Sequence, residues 1–147
     1  MRNLALVIVA LFIAGCTSSS ITKTESPSVS TQEADKAAVD STQQFLITAA
    51  ASDFHNHGPS RIGGFREVHL KRLVSPSGEK TYMLCGQYLA EQQGGKAQWI
   101  HFVTIKTSGY EQYNGAQASA FCQEGLIISG KESDLSPLLQ ARFDALK

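Results

Sequence analysis

The sequence predicts an α+β domain: an antiparallel β-meander of three to five strands, packed with an N-terminal and a C-terminal helix and closed by one disulfide. Three observations carry this reading. Runs rich in Val, Ile, Tyr, Phe and Thr at 65–74, 80–89 and 97–106 follow one another across short turn-forming segments, as hairpins do. Apolar residues at helical spacing flank these runs, over residues 31–52 and again from Ser136 to the chain end. Two of the three cysteines, Cys85 and Cys122, fall inside the same region.

The elements follow in chain order. Ser30 with Glu33 has the form of a capping box, so a helix should begin there. Ala34, Ala37, Ala38, Phe45, Leu46, Ala49 and Ala50 then fall three and four apart, which predicts a largely alanine face close against the sheet with Phe45 as its anchor. Gly58-Pro59 and Gly63-Gly64 stop the helix. Phe65 to Val74 carries Arg66, Glu67, Lys71 and Arg72 and suits an edge strand, where charge discourages pairing with other chains. Lys80 to Leu89 is the next strand. Ala97 to Lys106 places Trp99, His101, Val103 and Ile105 on one face and Ile100, Phe102 and Thr104 on the other, so it should be central. Gln117 to Cys122 reads as a short strand or a helical turn, with strand preferred, and Leu126 to Ser129 favours a strand on propensity. Pro137 suits the first turn of a last helix capped by Ser136, with Leu138, Leu139, Phe143 and Leu146 as its apolar stripe.

Ahead of this domain, Arg2 and the uncharged apolar stretch Leu4 to Ala14 read as a signal peptide over residues 1–15, too short to span a membrane and remain there. The stretch closes on Ile13-Ala14-Gly15-Cys16, which resembles the lipobox of bacterial lipoproteins. The resemblance implies that Cys16 carries the lipid, palmitate included, and becomes the mature amino terminus. With Thr17 rather than Asp next to it, the resemblance further implies sorting to the outer membrane, facing the periplasm. Residues 16–29 are rich in Ser and Thr and read as a tether, which as a coil would hold the domain, 30–147, about 20 Å from the bilayer. Cys85-Gly86, Gly94-Gly95 and the aromatic-rich run to Phe102 also resemble small envelope lipoproteins of no known activity.

The charge balance and missing motifs exclude several functions. Thirteen basic against thirteen acidic side chains leave no electrostatic footprint for phosphate, which argues against nucleic acid as a partner. No nucleophile elbow, phosphate loop, dinucleotide fingerprint or zinc-protease helix motif occurs, and none of the residues implies a cofactor. With Cys16 consumed by lipid, the even remainder in an oxidising periplasm points to a Cys85–Cys122 disulfide. Asp53, His55 and His57 alternate, so an extended chain would point all three to one side as possible Zn or Cu ligands; a solvated loop needs no metal at all. His101 reads as a hydrogen-bonded core or rim residue. Tyr88, Trp99, Tyr110 and Tyr113 are candidate partner-binding aromatics, with packing of a small sheet as the competing role. The expectation is therefore a non-enzymatic binding or accessory module in the cell envelope with a protein partner. The alternative is a periplasmic enzyme or metal-binding protein using Asp53, His55 and His57.

Overall fold

The computed structural model describes residues 28–91, 95–129 and 133–147. The expected signal peptide, the lipobox with Cys16 and the tether up to residue 27 lie outside the described residues, as do 92–94 and 130–132. Three helices and five strands are present: α1 (Ser28–His57), β1 (Ile62–Val74), β2 (Lys80–Ala90), β3 (Gln98–Lys106), β4 (Tyr110–Asn114), α2 (Ala116–Glu124), β5 (Leu126–Ile127) and α3 (Ser136–Asp144). The strands form one antiparallel sheet in the order β4-β3-β2-β1-β5. The α+β meander with a helix at either end and one disulfide is thus the fold of the domain.

Alternation along each strand divides the sheet into two faces. Phe65, Val68, Leu70, Leu84, Tyr88, Ala90 and Phe102 point to the first, where α1 and α3 cover them. Helix α1 contributes Leu46, Ile47, Ala50, Ala51 and Phe54, which recur at helical spacing, and α3 contributes Leu139 and Phe143. Phe54 sits at the centre of this layer, its ring 4.9 to 5.2 Å from those of Phe65, Tyr88 and Phe102. The second face carries Met83, Cys85, Val103 and Ile105, over which α2 lays Ala118 and the partly buried Phe121 and Cys122.

Several sequence expectations are corrected. Helix α1 begins at Ser28, so Ser30 lies inside it rather than capping it, and it continues five residues past 52 because Phe54 extends the buried stripe by one more turn. Ala34, Ala37 and Ala38 are exposed, since the first turns of α1 reach past the sheet. Phe45 is 39% exposed beneath the Lys106 ammonium, and its neighbours Leu46 and Ile47 are the anchors. Gln117 to Cys122 belongs to a helix, and only Leu126–Ile127 of the next run forms a strand. Strand β4, unassigned from sequence, is the edge of the sheet on one side among the described residues. On α3, Leu139 and Phe143 are buried while Leu138, and Leu146 beyond the end of the helix, remain 40% exposed.

Strand β1 is not left as an open edge. Its Lys71 and Arg72 pair with β5. Its remaining polar groups are met by the segment before α3: Val68 N–H donates to Asp134 Oδ1 and Ser136 Oγ, Leu70 N–H donates to Ser129 Oγ, and the Leu70 and Val68 carbonyls accept from Ile128, Ser129 and Leu135 amides. Ser136 is therefore the first residue of α3 and a bridge to β1, not the cap expected from sequence. Covering an edge in this way satisfies backbone groups that would otherwise recruit foreign strands.

Candidate functional site

Among the described residues, only half of the second face of the sheet is covered. Helix α2 spans the end bearing Met83, Cys85, Val103 and Ile105. Toward the other end of the same face, register places Arg66 opposite Gln87 and His101 opposite Gln87 on its other side, with Trp99 opposite Leu89. No helix or strand of the described residues packs over these side chains.

A β-bulge builds the centre of this open half. Between Arg66 and His69 on β1 lie two residues, whereas Gly86 alone separates their partners Gln87 and Cys85 on β2. The extra residue interrupts the alternation, so Arg66 and Glu67 are both exposed and both reach Gln87, while Val68 returns to the core. Glu67 takes φ 54°, a left-handed conformation that costs a residue with a β-carbon roughly 1–2 kcal/mol. Such strain persists only where the surroundings impose it. Gly86 is required opposite the bulge, since a β-carbon there would lie 2.8 Å from both Val68 Cγ2 and Phe102 Cε1.

Gln87 gathers the cluster. Its Oε1 accepts from Arg66 Nε at 3.0 Å and Nη2 at 2.7 Å, and its Nε2 faces Glu67 Oε2 at 3.3 Å and His101 Nε2 at 3.4 Å. A side-chain amide nitrogen only donates, so His101 Nε2 is the acceptor and its Nδ1 carries the proton. The Arg66 guanidinium lies over the Trp99 ring, 4.2 Å from its centre, a contact worth about 0.5–1 kcal/mol at an exposed position. Arg66 is thus held from two directions, and among the described residues the Nη1 edge of its guanidinium makes no hydrogen bond.

Beside this cluster a shallow cleft of about 230 Å³ is lined by Glu67, His69, Lys71, Gln87, His101 and the disulfide. The Cys85–Cys122 bond fastens α2 to β2, with the Cα atoms 5.8 Å apart. Lys71 Nζ donates to the Cys122 carbonyl near the end of α2. Among the described residues, His69 Nδ1 is buried without a hydrogen-bond partner.

The other candidates from sequence are dispersed. Tyr88 is 5% exposed and belongs to the core, where burial raises its phenol pKa, so it cannot meet a partner. Trp99 is half-buried in the open cluster. Tyr110 lies on the opposite face, its hydroxyl donating to Asp53 Oδ1 at 3.3 Å. Tyr113 packs on Phe121 with ring centres 5.5 Å apart and donates to Glu111. Asp53, His55 and His57 lie on the last turns of α1 rather than on an extended chain. In a helix a step of two residues turns about 200°, which sends His55 away from Asp53 and brings only His57 back, its Nδ1 3.3 Å from Asp53 Oδ1. Among the described residues no group of three His, Cys, Asp or Glu side chains stands together in a way that could hold a metal ion.

Arg66, Glu67 and Gln87 are absent from the sequence candidates. The charge of the first two reads as edge protection, and nothing local marks a bulge that depends on pairing with β2. No described helix is long and apolar enough to cross a membrane. Comparison of the chain with protein-family models, curated proteins and solved structures finds no match.

Proposed function

We propose that this protein is a lipoprotein of the cell envelope, anchored through Cys16 to the outer membrane and facing the periplasm, whose domain serves as a non-enzymatic binding module. The observation that carries the binding role is the open half of the second sheet face, where Gln87 fixes Arg66, Glu67 and His101 in place around a strained bulge. Side chains held before a partner arrives lose less entropy on binding, and a conformationally costly Glu67 at that place is what a recognition surface would retain. On α1, His55 lies away from Asp53 and His57, so these three side chains do not share one side.

Photo-crosslinking in intact envelopes tests this. A benzophenone side chain at His101, exposed on the open face, should trap one discrete partner, whereas the same group at Thr48, exposed on α1, should not. No adduct at His101, or the same adducts from both positions, would overturn the reading.

A further inference from the structure

Resting on the binding role just proposed, we infer that the open half-face docks an acidic segment of a protein partner, with a carboxylate of that segment seated against Arg66. The charge on this face differs from that of the whole chain. Thirteen basic and thirteen acidic residues cancel overall, yet the residues of the open cluster and its cleft include the cations Arg66 and Lys71 against one carboxylate, Glu67. Glu67 is itself engaged with Gln87 Nε2, and Lys71 with the Cys122 carbonyl, which leaves Arg66 as the fixed cation able to take a ligand.

The geometry of Arg66 fits a carboxylate. Gln87 Oε1 accepts from Nε and Nη2, and Trp99 supports one flat side of the guanidinium, so what remains is the Nη1 edge in the plane of the fork. A guanidinium held in this way offers planar donors at a fixed place, and carboxylates match that plane. The exposed His101 imidazole adds a second hydrogen-bonding group on the same surface. The adjoining cleft of about 230 Å³ is smaller than ordinary small-molecule sites, which start near 300 Å³, and suits single side chains of a chain lying across the sheet.

The protein carries its own reporter, because Trp99 is its one tryptophan and lies under Arg66. The full chain in detergent is titrated with hexaglutamate peptide while Trp99 emission is followed, with hexaglutamine as the neutral control. The expected result is a saturable emission change with hexaglutamate that hexaglutamine does not reproduce and that added salt weakens. Arg66→Gln should weaken binding at least tenfold, Arg66→Lys should fall between it and the parent, and Arg142→Gln on exposed α3 should change nothing. No saturable change, equal response to hexaglutamine, or equal loss in Arg142→Gln would overturn the acidic-partner inference. If hexaglutamate fails while the His101 crosslinker still traps one partner, the binding role stands and the chemistry assigned to the partner falls.

Discussion

At the scale of single residues, Glu67 and Asp134 each hold β1 in place by a different means. Glu67 accepts a left-handed backbone so that Arg66 and its own carboxylate reach the same face. Glycine has no β-carbon to resist that conformation, whereas alanine keeps the strain while losing the same hydrogen bond. Glu67→Gly should therefore be more stable than Glu67→Ala by about 1 kcal/mol in urea unfolding; equal midpoints would show the bulge to be unstrained. Asp134 receives the Ser136 hydroxyl, the Ser136 amide and the Val68 amide on one oxygen. Desolvation opposes its charged form, but these hydrogen bonds and the nearby His69 outweigh it and hold the carboxyl below its usual value. A carboxylate with a depressed folded-state pKa contributes stability above its unfolded pKa and loses it as pH falls through the folded one. Asp134→Asn should thus lower the Tm at pH 6, and its gap to the parent should narrow as pH falls below about 4, where the unfolded carboxyl takes up its proton. A gap independent of pH would assign the loss to packing instead.

At the scale of elements, α2 is the piece whose position rests most on a covalent bond. Ala118 is its only buried residue, Gly115 supplies no side-chain cap, and nine residues are too few for a helix to persist unaided in water. A bridge across a sequence separation of 37 stabilises by about 4 kcal/mol on the chain-entropy model, and native strain commonly reduces this. Cys85→Ala and Cys122→Ala should each cost about 2–4 kcal/mol, and the double mutant should be no worse than either, because both remove one bond. Two reactive thiols per denatured, unreduced chain would show the bond to be absent from the isolated protein. The same helix marks where sequence reading stops. Strands β1 to β3 were legible because alternating, β-branched and aromatic residues run for nine or more positions in each. Gln117 to Cys122 mixes Ala, Ser, Phe and Cys over six positions, too short for either period to separate, and packing on Val103 and Met83 decides for helix. The end of α1 was misread for a related reason: Asp53, His55, Asn56 and His57 look like a loop, and only the nonlocal contacts of Phe54 show that the helix continues. The disulfide was legible from cysteine parity. The Gln87 cluster was not, because a bulge is a property of the register between two strands and leaves no mark on either alone.

At the scale of the whole molecule, the proposed anchoring makes a direct prediction. Cys16→Ser should abolish incorporation of radiolabelled palmitate and move the protein from the membrane to the soluble fraction; a mutant that is still labelled, or a parent chain that is already soluble, would remove the anchor from the account. Given an anchor, the exposed first part of α1 acquires a mechanical meaning. Residues 32–38 are exposed throughout, and the helix reaches back to Ser28. At 1.5 Å per residue, the stretch from Ser28 to Ala34, ahead of the Asp35 and Lys36 that line a pocket with Ile128 and Leu135, is a stem of about 10 Å. A coil of n residues reaches only as the square root of n and shortens freely, whereas a helical stem reaches in proportion to n and resists compression. Lengthening the stem by one turn would therefore move the sheet about 5 Å farther along the helix axis. Each residue added to or removed from the stem would thus shift the standoff of the sheet by a fixed step, as a rod does, and turn the sheet about that axis by about 100°.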